Sequence, residues 1–381
     1  MFVSKMARRM AVNFTKLCGL ILVGTLVYNE YISYYLSQLS WPHLPSDQDL
    51  TVVLLVADSQ IQGMKHEPEG VVGSIQRWDS DRFLHKSYKW AVGAYSINSV
   101  VFLGDLIDEG SETEDEMYGS YASRFHSIYP AWGHQMIYIP GDNDIGGEGV
   151  DPVTLRKIDR FEEHFGPSSS VYSISGQVDI VPVSRLTEHG NYNLTQKPSL
   201  LTTTKVVLAI SHVPVLPLNG RFAEKVMNLV NPDLILSAHD HAGYLFTADR
   251  QSRKLSGAVQ RFSKKDKTPL ELQTRVTADP EMGIGTLTEM VSEVVVPTCS
   301  YRMGVSEMGL GLLAVNSQGE VIYSNLWLPS RFSLLYTYAA SLVVVVILFL
   351  MGKMVEIKRL FRRRQEIQGK LRKNYEPLLR L

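Results

Sequence analysis

Five short apolar runs, each ending in side chains suited to hold a metal, constrain this chain more than any other feature. Residues 50–56 (LTVVLLV) run into Asp58 and Gln60, 99–103 (SVVFL) into Asp105, and 136–139 (MIYI) into Asp142, Asn143 and Asp144. Residues 205–210 (KVVLAI) run into His212, and 233–236 (DLIL) into His239, Asp240 and His241. Short β-branched runs bounded by turn residues read as strands buried on both faces. Helical patterns fall between them, near 74–96, 113–129, 152–165 and 221–231. Alternating strands and helices predict a parallel sheet in α/β order.

Open α/β sheets bind ligands beyond the carboxyl ends of their strands. An Asp after a strand is ordinarily a turn residue or a cap, and a single His is ordinarily structural. Five successive strands delivering Asp, Asn or His to one edge predict a metal site instead. The set lacks thiolate, and mixed carboxylate and imidazole suit Mn²⁺, Fe or Zn²⁺ better than Ca²⁺. There are more candidates than one coordination sphere holds, so two ions are expected, bridged by a central carboxylate, Asp105. Such a pair polarises a water and clamps the oxygens of an in-line phosphoryl displacement, which makes phosphoester hydrolysis the leading chemistry.

Residues 334–351 (LLYTYAASLVVVVILFLM) are eighteen positions without charge, Pro or Gly. With its flanks this run is long enough to cross a bilayer. A second, weaker run over 17–28 resumes after Asn29 and Glu30 and reads as an uncleaved anchor, with a signal peptide as the rival. Glu30 at membrane depth needs a partner or a place near the interface. Residues 1–16 carry four basic side chains and no acidic one, and 352–381 carry ten basic against three acidic. The stretch between them holds 24 basic against 36 acidic residues. The positive-inside rule then puts both basic segments in the cytoplasm and the acidic domain in the lumen. The expected division is 1–16 cytoplasmic, 17–38 spanning, 39–332 lumenal, 333–352 spanning and 353–381 a basic cytoplasmic tail. Asn193 begins a glycosylation sequon on the lumenal side, whereas the Asn13 sequon stays cytoplasmic. Cys18 and Cys299 fall in different compartments and cannot pair. A net charge of −1 argues against a general nucleic-acid binder.

The order Asp-x-x, Gly-Asp, Gly-Asn-His-Asp, His, Gly-His-x-His belongs to calcineurin-like metallophosphoesterases. This chain is similar to it as DSQ, GD, GDND, SH and AHDH. ADSQ, GDLIDEG, IPGDNDIG, RFEEHFG, SHVPVLP, LSAHDH and VPTCSYRMGVSEMGLGLL further resemble the metallophosphoesterase 1 family, over roughly residues 15–350. The resemblance implies a four-layer α/β/β/α sandwich, its second sheet built by strands near 171–182, 286–297, 309–315 and 321–327. It implies two divalent ions, Mn²⁺ foremost, and removal of ethanolamine-phosphate from a mannose of the glycosylphosphatidylinositol (GPI) glycan. Partners would be GPI-anchored proteins or the glycolipid, in the endoplasmic reticulum or early Golgi. Position by position, one metal would take Asp58, Gln60, Asp105 and His241, and the other Asp105, Asp142, His212 and His239. Two departures from the pattern matter, at Gln60 and at Asp142-Asn143, where the family has Asn-His and Asp142 is an adequate ligand that adds negative charge. Gln60 stands where many such enzymes have His. Asn143 stands where the family has a catalytic His, and an amide does not titrate near neutrality. The alternative is therefore a catalytically weak or inactive metal-binding factor for trafficking of the same cargo. The polar stretch 251–282 reads as a solvated insertion loop, or as a flap over the substrate head group.

Overall fold

The computed structural model describes residues 2–45, 49–187, 206–266, 268–272 and 290–375, with side chains described from Phe14 to Gly369. The Asn193 sequon lies outside the described residues, as do 267 and 273–282 of the polar stretch. The chain forms two units, residues 36–330 and the pair of segments 1–35 and 331–381.

In the smaller unit, α1 (Phe2–Val27) continues through a π-helical turn, Tyr28–Ile32, into α2 (Ser33–Gln38). It packs along α8 (Arg331–Tyr375). Phe14–Gln38 and Arg331–Gly369 are each long and apolar enough to cross a membrane. The π-turn brings Asn29 and Glu30 against α8. The Asn29 amide donates to the Leu334 carbonyl at 2.9 Å, and Tyr338 donates to Glu30 at 2.5 Å. These contacts answer the need that Glu30 posed.

In the larger unit β1 (Leu50–Val56), β2 (Ser99–Phe102) and β3 (Gln135–Tyr138) pair in parallel. The helices α3 (Gly70–Ala94), α4 (Asp115–Ile128) and α6 (Leu155–Phe165) fall where the periodicity puts helix, whereas the one-turn helix α5 (Asp142–Ile145) forms over the strand-end motif that the periodicity leaves as a turn. Next come β4 (Tyr172–Ile174), β5 (Val178–Pro182) and β6 (Val206–Ile210). A short helix α7 (Arg221–Lys225) then leads to β7 (Leu234–Ser237), β8 (Tyr244–Asp249) and β9 (Gln260–Arg261). The last strands are β10 (Leu270–Leu272), β11 (Met290–Val295), β12 (Gly309–Asn316) and β13 (Val321–Trp327).

The five ligand-bearing strands do not share one sheet, which corrects the single parallel sheet read from the alternation. One mixed sheet runs β10-β13-β12-β1-β2-β3 and the other β4-β5-β6-β7-β11-β8-β9. β12 and β13 also leave the expected second sheet. β12 lies antiparallel to β1, with Leu50 opposite Asn316, and so covers an edge that would otherwise present unpaired amides. Alternation along the chain reports that strands are parallel, not which neighbour each finds. The polar stretch is correspondingly more than a loop, because β9 pairs with β8 and β10 with β13. One apolar cluster draws on both sheets, joining Val53, Leu55 and Leu313 to Val178, Leu208 and Leu236. The chain enters and leaves this unit at one place, where the Trp41 indole donates to the Trp327 carbonyl at 3.1 Å.

Candidate metal centre

The carboxyl ends of β1, β2, β3, β6 and β7 converge, three from one sheet and two from the other. Asp58, Asp105, Asp142 and His212 are all buried, at no more than 5 % exposure. The backbone bends sharply off three of the strands. Asp58, Gln60, Asp105, His239 and His241 have φ of 49°, 39°, 53°, 73° and 58°. Non-glycine residues rarely adopt this left-handed region, and such strain persists where the surroundings over-determine it. Two glycines make room. A Cβ on Gly141 would meet Asp105 Oδ1 at 2.1 Å, and one on Gly104 would meet His212 Nδ1 at 2.5 Å.

Asp142, His212 and His239 bring ligand atoms within 4.8 Å of one another, and so do Asp58, Asp105 and His212. His212 Nε2 lies 2.9 Å from Asp142 Oδ1 and 3.4 Å from Asp105 Oδ1. His239 Nδ1 lies 3.0 Å from the same Asp142 oxygen and 3.2 Å from His212 Nε2. The Gln60 amide nitrogen is 2.8 Å from Asp105 Oδ2 and 3.4 Å from His241 Nε2. His212 thus belongs to both groups, whereas the family pattern assigns it to one ion. Asp240 is exposed.

The charges explain the protonation. Burial pushes the Asp58 carboxyl up to about 7, against the pull of His212. Burial alone would lower the His212 imidazole, but Asp105, Asp142 and Asp58 around it hold it up to about 10. Burial also works against ionisation of Asp142, yet hydrogen bonds from His212 and His239 keep it well below the usual carboxylate range. Asp58 Oδ2 is buried with no hydrogen-bond partner. An unpartnered buried carboxylate oxygen is costly, and a cation satisfies it. The donor set, carboxylate with imidazole and no thiolate, fits borderline divalent ions. His212 is oriented for this role: its Nδ1 meets the Leu103 carbonyl at 2.8 Å, which leaves Nε2 to face the cluster.

The supporting contacts of the site escaped the sequence reading, even where the residues themselves were named. Asp144 is fully buried and accepts from the amides of Leu106, Ile107 and Gly141, at 2.9–3.1 Å. It clamps the Asp105 loop to the Asp142 loop, and burial, with Asp105 nearby, pushes its carboxyl up to about 7. Asn143 is likewise committed: its backbone and side-chain amides donate to Asp105 Oδ1 and Oδ2, at 3.0 and 2.9 Å. Thr298 follows β11, and its hydroxyl donates to the Asp58 carbonyl at 2.9 Å. A groove of about 840 Å³ opens beside Asp142 and His239, with Glu148, Arg185, Thr187 and Val213 among its walls. A polar pocket of about 220 Å³ lies beside His241, with Arg261 and Glu307 on its sides. Cys18 and Cys299 are both free and buried.

A model of the calcineurin-like phosphoesterase family matches residues 51–243, just over half of the chain. Cell division control protein 1 of Saccharomyces cerevisiae is 29% identical over 135 residues, covering 34% of this chain and 27% of the relative. Metallophosphoesterase 1 of Xenopus laevis is 29% identical over 150 residues, covering 37% and 35%. The chain thus spans about a third or less of the length of these two curated relatives. A purple acid phosphatase from yellow lupin seeds superposes with a TM-score of 0.42 at 9% identity, over 74% of this chain and 52% of that one.

Proposed function

The chain belongs to the calcineurin-like phosphoesterase family, and we propose that within it the protein is a membrane-bound dinuclear metallophosphodiesterase. Its proposed reaction removes ethanolamine-phosphate from GPI-anchor glycans and so aids transport of GPI-anchored proteins from the endoplasmic reticulum to the Golgi. The observation that carries phosphoester hydrolysis is the buried set Asp58, Asp105, Asp142 and His212, joined by half-buried His239, with its unpartnered Asp58 oxygen. Substrate and compartment rest on the resemblance of the motifs to the metallophosphoesterase 1 family and on two helices able to cross a membrane.

When bound, two divalent ions, Mn²⁺ foremost, would supply an activated water and stabilise charge on the phosphoryl oxygens. Asp58, Gln60, Asp105 and His241 would hold one, and Asp105, Asp142, His212 and His239 the other. The Leu103 carbonyl fixes the His212 ring, and the Asn143 amides fix the Asp105 carboxylate. The groove beside Asp142 and His239 takes a substituent of the phosphoester.

Asn143 favours a second reading, a metal-dependent glycan-binding factor with little turnover. An amide donates hydrogen bonds but no proton, and general acid catalysis is worth about 10²–10⁴-fold. The leaving group separates the readings. On the enzyme reading the detergent-purified chain with Mn²⁺ hydrolyses an activated aryl phosphodiester, and Asn143→His raises the alkyl rate far more than the aryl rate. Hydrolysis of neither ester at any pH by a metal-loaded chain would end the enzyme reading. Fast alkyl turnover by the unaltered chain would show that Asn143 is no handicap.

The lumenal placement has its own check. Glycosidase treatment is expected to shift the gel mobility of the expressed protein, and Asn193→Gln to abolish the shift. A shift lost on Asn13→Gln instead would invert the topology.

A further inference from the structure

Glu293 is out of place by every rule of patterning. It lies mid-strand in β11, paired in parallel with Ile235 of β7 and antiparallel with Phe246 of β8. Its exposure is 0%. Val291, two residues away and therefore on the same face, belongs to an apolar cluster with Val215, Leu216, Phe222 and Ile235. The cluster that flanks it is apolar, although the Arg185 charge acts on the carboxylate. A carboxylate there loses its hydration and is tolerated only where hydrogen bonds replace it.

The replacements are specific. Glu293 Oε1 accepts from the Val215 amide at 2.8 Å and from the Ser237 hydroxyl at 2.7 Å. Oε2 accepts from the Leu216 amide at 2.6 Å. The segment His212-Val213-Pro214-Val215-Leu216-Pro217 contains two prolines that cannot donate. Two of its four remaining amides end on this one side chain. Ser237 closes β7 two residues before His239. Glu293 therefore ties the turn after His212 to the strand end before His239. Those two imidazoles share one oxygen of Asp142 and stand 3.2 Å apart.

We propose that Glu293 is a positioning residue of the metal centre, a strut that fixes the His212 turn against the His239 strand end and so sets how tightly the paired imidazoles hold an ion. The proposal rests on the reading of this cluster as a metal centre. The strut touches no ligand atom; it acts through two backbone amides and the Ser237 hydroxyl. Groups that orient metal ligands from outside are worth about 10–100-fold in affinity.

The test uses the full chain in detergent, with Mn²⁺ as the probe, at a temperature where circular dichroism shows each variant folded. Calorimetry reads the affinity and number of bound ions, and electron paramagnetic resonance reads whether two ions are coupled. The unaltered chain is expected to take two coupled Mn²⁺. Glu293→Leu matches the apolar layer but removes all three acceptances, and it should weaken binding by about 10–100-fold and lose the coupled signal. Glu293→Gln keeps an acceptor oxygen but sets an amide against an amide, and should fall between. If Glu293→Leu does not fold, Ser237→Ala, which removes one leg of the strut at little cost in volume, takes its place with a several-fold loss expected. Folded variants that bind two coupled ions as tightly as the unaltered chain would overturn the strut and leave the metal centre standing. An unaltered chain that binds no Mn²⁺ would overturn the metal centre, and the strut with it.

Discussion

Asp105 has room to face the cluster only because residue 141 lacks a side chain. Gly141 has an ordinary extended backbone, φ −99°, so its requirement is steric and not conformational. An added Cβ would meet Asp105 Oδ1 at 2.1 Å and Asp105 N at 2.4 Å, neither of which is a flexible chain end. Gly141→Ala is expected to displace Asp105, lower stability by about 1–3 kcal/mol as overpacking does, and reduce bound metal in step. Elemental analysis and thermal melting check this; a folded variant with the metal content of the unaltered chain would contradict the placement of Asp105. Asp144 carries a related lesson. In sequence it stands with Asp142 and Asn143 among the strand-end candidates for a metal, yet four backbone contacts engage its carboxylate.

At the scale of elements, the two apolar helices are joined by polar side chains. Asn29 gives its amide hydrogen to the Leu334 carbonyl at 2.9 Å and receives the Thr337 hydroxyl at 2.7 Å. Both contacts come from the π-turn, a departure from α geometry that often marks a special site. Polar contacts between membrane helices average about 0.6 kcal/mol and reach roughly 1.7. Asn29→Leu should therefore speed amide exchange around Leu334–Tyr338 by roughly threefold to twentyfold, the range those energies convert to. Exchange at the unaltered rate, measured by mass spectrometry on the full chain, would show that the pair is held by apolar packing alone.

Across the whole molecule, metal, protons and stability are linked. His212, held up to about 10, binds its proton more tightly in the metal-free fold than in the unfolded chain. That interaction stabilises the metal-free fold fully below about 6.5 and is lost as pH rises toward about 10. Asp58, raised to about 7, likewise favours the folded state while protonated and withdraws that support as pH climbs through about 4 to 7. A cation needs both groups deprotonated. Mn²⁺ uptake at neutral pH should therefore release protons, and affinity should rise from pH 6 to 8. Calorimetry in buffers of differing ionisation enthalpy measures the release; none would mean that these groups do not bind the ion. Chelation should lower the melting temperature by mass action, since metal at a hundred times its dissociation constant adds about 2.7 kcal/mol.

The chain alone determined which segments are strands, which helices lie between them and which side chains stand at the strand ends. These are local matters of periodicity and turn chemistry. It also carried the two apolar segments and the motif order of the family. Tertiary structure decided the rest. The split of β1, β2 and β3 from β6 and β7 depends on which edges remain open once β12 has covered β1, a long-range pairing that no local pattern encodes. The same holds for His212, placed between both ligand groups by the convergence of two sheets. Glu293 shows the boundary most clearly. It is the one charge in VSEVVV and drew no reading from the sequence, because its purpose needed the turn of Val215 and Leu216 folded onto it. A side chain that acts through backbone amides leaves no spacing to read, because those amides are present in nearly every residue.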